Sequence, residues 1–211
     1  MKKVLILSPH TDDAELGCGA TISRLIEEGN KILWVVFSTA EESLPSGMPP
    51  QTLENEFRNV IKHLKLKDDD VIINHFRVRY LHENRQDILE LLVKIRNSFN
   101  PSLVIGPSLN DFHQDHTIVA NEMVRAFKSH SSIISYELPW NHITFNTQLF
   151  FKITKEQLEN KINILGEYKS QIRKERSYFS KDFIKGIAIT RGLQMNSDYA
   201  EAFEVIKWIE P

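Results

Sequence analysis

A chain of 211 residues, 41% of them hydrophobic, can bury one substantial core, and no low-complexity stretch or Ser/Gly/Pro-rich linker divides it, so one domain over residues 1–211 is expected. Its 26 basic and 28 acidic side chains nearly cancel, which argues against a nucleic-acid partner held by phosphate electrostatics and leaves small molecules open. The single cysteine, Cys18, excludes intramolecular disulfides and thiolate-cluster metal sites, so any metal needs His with Asp or Glu.

Met1-Lys2-Lys3 begins like a signal peptide, but the apolar run Val4-Leu5-Ile6-Leu7 breaks at Ser8-Pro9-His10 and passes into charged sequence. No other apolar stretch is long enough to span a bilayer, so a cytoplasmic location without a membrane partner is expected. Lys3 to Leu7 reads as a strand. Gly17-Cys18-Gly19 opens a helix, with Cys18 as a small packed residue, and Gly29 sits where a helix should stop. Ile32 to Phe37 is the next strand, followed by the breaker-rich loop Ala40 to Pro50, read as a mobile rim over a pocket. Leu53, Phe57, Val60, Ile61 and Leu64 mark one helix face, and Val71 to Phe76 a strand. Ile88, Leu91, Leu92, Ile95 and Phe99 mark a further helix, ended by Pro101, and Leu103 to Gly106 a further strand. An amphipathic helix (Ile118, Val119, Met123, Val124, Phe127), strands at Ile133 to Tyr136 and Leu149 to Ile153, and a helix carrying Leu158, Ile162, Leu165 and Tyr168 complete the pattern. Beyond Ser170 no assignment is made, and the basic segment around Arg173, Lys174 and Arg176 reads as solvated. Strands alternating with helices predict an α/β, Rossmann-like three-layer fold with a mostly parallel central sheet and helices on both faces.

Two clusters carry the chemistry. His10 and Asp13, three apart on the turn leaving the first strand, can ligate one zinc ion, while Asp12 between them can take a proton from a metal-bound water. Helix capping by Asp12 or Asp13 competes for the same turn. The second cluster, Pro107-Ser108-Leu109-Asn110-Asp111-Phe112-His113-Gln114-Asp115-His116, follows the strand Leu103 to Gly106. In an open α/β sheet ligands bind beyond the carboxyl ends of strands, where both clusters fall. One histidine of the second cluster can complete a facial set with His10 and Asp13, leaving positions for water and substrate as catalytic zinc requires. The other, held by an adjacent carboxylate, can be cationic and act as an acid or oxyanion partner.

These motifs resemble those of the PIG-L/LmbE family of zinc-dependent N-acetyl-sugar deacetylases. Pro9 to Asp13 with Glu15, Leu16, Gly17 and Gly19 matches the first family signature, and His113 to His116 the second. Pro101 to Pro107, Tyr168-Lys169-Ser170-Gln171, Arg191-Gly192 and Tyr199-Ala200-Glu201-Ala202-Phe203 extend the likeness along the chain. The resemblance implies His10, Asp13 and His116 as zinc ligands, Asp12 as general base, His113 as acid or oxyanion stabiliser, and Asp115 orienting His113. It further implies hydrolysis of an acetamide to acetate and a free amino sugar. Zn2+ is the expected cofactor, although such a ligand set also accepts Fe2+, cobalt or manganese.

One departure stands out. Family members often carry arginine at the start of the helix containing Glu56, where this chain has Leu53. Arg79, read as ending a strand, and Arg58 are candidate substrate cations, each in competition with an ordinary surface salt bridge. Trp140 and Asn141 offer an aromatic face and hydrogen bonds suited to a sugar, against a turn with a buried tryptophan. A dinucleotide site at Gly17-Cys18-Gly19 is disfavoured, because Ile22 occupies the third glycine position. A zinc amidase acting on a non-sugar amide and a non-catalytic sugar- or metal-binding module are the competing readings, and self-association stays open.

Overall fold

Alternate residues along each apolar run feed two separate half-cores. Val4 and Ile6 of β1 (Lys3–His10) pack on one side of the sheet, while Leu5 and Leu7 pack on the other. Such a strand needs apolar cover on both faces, at roughly 1.5–3 kcal/mol for each fully buried aliphatic side chain. The computed structural model describes residues 1–172 and 176–210, and the expectation for Arg173 and Lys174 lies outside them. After β1 come α1 (Asp13–Glu27), β2 (Lys31–Ser38), α2 (Thr52–His63), β3 (Val71–Ile73), α3 (Arg85–Phe99) and β4 (Leu103–Gly106). The chain continues through α4 (Gln114–Phe127), β5 (Ser132–Tyr136), β6 (Leu149–Lys152), α5 (Lys155–Leu165), α6 (Lys169–Ile172), α7 (Lys181–Leu193) and β7 (Ala200–Lys207).

The strands form a seven-stranded sheet in the order β3-β2-β1-β4-β5-β7-β6. The first five strands are parallel, and β7 runs antiparallel to both of its neighbours. Residues of α1, α2, α5 and α7 cover one face, and those of α3 and α4 the other. The chain moves outward from β1 to β3 and then returns to β4 beside β1, so the sheet has its switch point between β1 and β4. Among the described residues no helix is long and apolar enough to cross a membrane.

Three elements differ from expectation. β3 stops at Ile73 because Asn74 and His75 interrupt the apolar run, with the Asn74 side chain turned onto the Val36 carbonyl at 2.9 Å. α5 stops at Leu165, leaving Tyr168 outside it. The unassigned C-terminal stretch supplies α7 and β7, and β7 holds α1 together. At Cys18 the helix is interrupted (φ −149°, ψ 28°), and Glu201 of β7 accepts the Ala20 and Thr21 N–H groups at 3.2 and 2.6 Å. Lys161 neutralises that buried carboxylate at 2.6 Å.

Gly17 sits against Tyr136, where an added Cβ would lie 2.7 Å from the ring Cγ. Gly17→Ala should therefore destabilise the fold by about 1–3 kcal/mol through overpacking. Chemical denaturation compared with the unsubstituted protein checks this, and an unchanged midpoint would mean that the ring gives way freely.

Candidate active site

β1 and β4 end side by side, and the loops beyond them bring both clusters to one point. Asp12 occupies the position before α1, yet its side chain makes no capping hydrogen bond. Asp12 lines the cleft instead. Asp13 turns back, so that Oδ2 accepts the His10 main-chain N–H at 2.7 Å. Tyr168 anchors the turn from behind, with its hydroxyl 2.5 Å from both the Thr11 carbonyl and Glu15 Oε1.

Each of two histidines has one ring nitrogen tied to a carboxylate. His10 Nε2 lies 3.0 Å from Asp115 Oδ2, and His116 Nδ1 lies 2.7 Å from Asp111 Oδ2. An ionised carboxylate only accepts, so each ring gives its N–H there and turns the other nitrogen inward. Those inner nitrogens, His10 Nδ1 and His116 Nε2, are 3.3 Å apart. Both are 3.1 Å from Asp13 Oδ2. A tetrahedral ion with bonds of about 2.0–2.1 Å separates its ligands by about 3.3 Å, so the triangle fits one divalent cation. A wider set of His10, His113 and His116 keeps its donor atoms only within 4.8 Å of one another.

The electrostatics match a cation site holding protons in its place. Burial opposes charge on His10 and His116, but Asp13 and the hydrogen-bonded carboxylates overrule it and raise them to about 9 and about 10. Burial likewise opposes the charge on Asp13, and the two imidazoles hold it well below the usual carboxylate range. On Asp12 burial together with the charge of Asp13 outweighs the opposing pull of His10 and Arg176 and lifts it to about 6.

His113 and Asp115 depart from their expected roles. The Asp115 carboxylate serves His10 rather than His113, because it is fully buried and also receives the Arg79 and Leu81 main-chain N–H groups at 2.6 and 3.3 Å. His113 is fixed by the Asp115 main chain, whose N–H donates to Nδ1 at 3.2 Å. Burial first, then the charges of His10 and His116, pull His113 down to about 4. The shift disfavours the expected cation, and because Nδ1 accepts the Asp115 N–H, the neutral ring carries its hydrogen on Nε2.

The cleft holds about 730 Å³ of space, open solvent at its mouth included. Trp140 and Asn141 line it, and Trp140 is 37% exposed rather than buried. Its ring stacks on Tyr178 at 4.2 Å and 10°. Ala40 and Ser43 of the rim loop, and Leu53, also line the cleft. Arg176, read as solvated, does so too. The two arginines proposed for substrate do not. Arg58 pairs with Glu54 one helical turn away at 2.7 Å. Arg79 lies in a turn beyond the shortened β3, and its guanidinium is 3.6 Å from Glu42. Sequence reasoning missed Asp111 and Tyr178. Asp111 stood in the second cluster, but spacing does not say which aspartate serves which histidine.

The sequence pattern of the PIG-L family, described as GlcNAc-PI de-N-acetylase, matches residues 5–127. A relative from Escherichia coli (strain K12), the uncharacterized deacetylase YaiS, is 29% identical over 174 residues, spanning 80% of this chain and 91% of its own. Among solved structures, the conserved protein TT1542 of Thermus thermophilus superposes with a TM-score of 0.81 at 23% identity, over 100% of this chain and 97% of that one. The N,N'-diacetylchitobiose deacetylase of Pyrococcus horikoshii gives 0.71 at 21%, over 97% and 84%. The 4-carboxy-2-hydroxymuconate hydratase GalB of Pseudomonas putida KT2440 gives 0.79 at 18%, over 100% and 98%, so these structural likenesses establish the fold alone. It is the sequence pattern, running through both clusters, that assigns the family: the chain belongs to the PIG-L (GlcNAc-PI de-N-acetylase) family.

Proposed function

We propose that this chain, as one domain over residues 1–211, is a metal-dependent N-deacetylase that converts an N-acetylated amino sugar or sugar conjugate to acetate and a free amine. The observation that carries the reading is the near-equilateral triangle of His10 Nδ1, Asp13 Oδ2 and His116 Nε2, with Asp12 lining the same cleft. Those three residues would hold a divalent ion, with Zn2+ the best match, which when bound would supply Lewis acidity to a water and to the amide carbonyl. Asp12 accepts the proton of the attacking water, and a carboxylate lifted to about 6 is both ionised at neutral pH and more basic than an exposed one. His113 donates its Nε2 hydrogen to the carbonyl oxygen as that oxygen gains charge. The proton held on Asp12 then passes to the departing nitrogen as the C–N bond breaks. The stacked Trp140 and Tyr178 give an apolar face on which a sugar ring can lie. The description of the PIG-L family, GlcNAc-PI de-N-acetylase, supports the sugar-conjugate class, and the name of YaiS, an uncharacterized deacetylase, supports the reaction.

Incubating zinc-loaded protein with free and UDP-linked N-acetylhexosamines and with non-sugar acetamides should release acetate from a sugar. Chelation should stop the release and added Zn2+ restore it. Acetate from non-sugar amides alone would replace the substrate class, and sugar binding without acetate would leave a binding module.

A further inference from the structure

Arg79 adopts a left-handed backbone, φ 72°, that a residue with a Cβ rarely takes. A strained position of this kind persists only where its surroundings hold it, and here the surroundings are the site itself. Its N–H donates to Asp115 Oδ2 at 2.6 Å, the shortest of the three hydrogen bonds that the buried carboxylate accepts. Leu81 supplies the second main-chain donor at 3.3 Å, and His10 Nε2 the third at 3.0 Å. The turn itself closes through the Tyr80 N–H on the Arg77 carbonyl at 3.1 Å. The Arg79 side chain takes no part, since it is half exposed and faces Glu42.

We propose that Arg79 is a positioning residue acting through its main chain: the left-handed turn at 77–81 aims two amide N–H groups at Asp115, and Asp115 fixes the ring of His10. The proposal rests on His10 as a metal ligand. A carboxylate with three donors around it cannot rotate, so the imidazole it holds keeps Nδ1 on the triangle. Loosening such an outer contact weakens metal binding by about 10–100-fold in comparable sites. The segment belongs to neither signature, and nothing in the local sequence Val78-Arg79-Tyr80 marks it as a turn that needs a positive φ.

Arg79→Gly, Arg79→Asn and Arg79→Val all remove the guanidinium but differ in tolerance of a left-handed backbone, Gly most and Val least. Zn2+ affinity of the full chain, measured by chelator competition, should be at least about tenfold weaker for Val than for Gly, with Asn between. kcat should follow the same order with KM alike in all three. If Arg79→Val does not fold, Arg79→Ala takes its place below Asn in the series. Equal Zn2+ affinities across the series would overturn the proposal. So would a KM raised equally in all three variants at unchanged affinity, because the guanidinium would then be touching substrate. Failure of the unsubstituted protein to bind Zn2+ removes the metal-ligand reading and this one with it, whereas a flat series in a zinc-binding protein removes this one alone.

Discussion

Asp12→Asn is expected to lower kcat for acetate release by about 10²–10⁴-fold while leaving one zinc per chain, since loss of a general base costs that much and an amide accepts no proton. The separation of the two effects follows from the turn. Asp13 Oδ2 reaches both imidazoles at 3.1 Å, while Asp12 is one residue away and lines the cleft. Because the Asp12 side chain caps nothing, its replacement leaves the start of α1 intact. Metal analysis and acetate release on the same preparation check the prediction. Activity within tenfold of the unsubstituted enzyme would remove Asp12 as the base.

His116→Ala should empty the metal site, and His113→Ala should not. His116 Nε2 is within 3.3 Å of both other corners of the triangle, whereas His113 belongs only to the wider set within 4.8 Å. The expected result is near-zero zinc content in His116→Ala. His113→Ala should retain full zinc content with kcat lower by about 10²–10³-fold, the cost of losing one oxyanion donor. His116→Ala also leaves Asp111 and Asp13 without their shared buried partner, so its unfolding midpoint should fall as well. Chelated, unsubstituted enzyme separates this structural loss from the loss of metal, since it should be inactive with its fold retained. Zinc lost from His113→Ala and kept by His116→Ala would place the ion among other ligands.

Both motifs were legible because each is local. Pro9 to Asp13 and His113 to His116 follow strands whose unbroken apolar runs, Val4 to Leu7 and Leu103 to Ile105, announce burial on both faces. A parallel sheet obliges the loops after such strands to meet at the same edge. Glu201 shows the limit of this reasoning. It lay within a stretch that resembles the family, but that it caps an interruption inside α1 depends on a strand laid down 180 residues later.

The sequence by itself determined the α/β class, the succession of the core strands along the chain and the two clusters of candidate residues, because these follow from the period of apolar side chains and from short-range spacing. Only the tertiary structure decided which carboxylate holds which imidazole. Asp111 and Asp115 are both near His116 in sequence, yet Asp115 crosses to His10, 105 residues away, because the two parallel strands set their loops face to face. The same convergence lowers the pKa of His113: burial acts first, then the charges of His10 and His116 reaching it through space, and no local pattern encodes either.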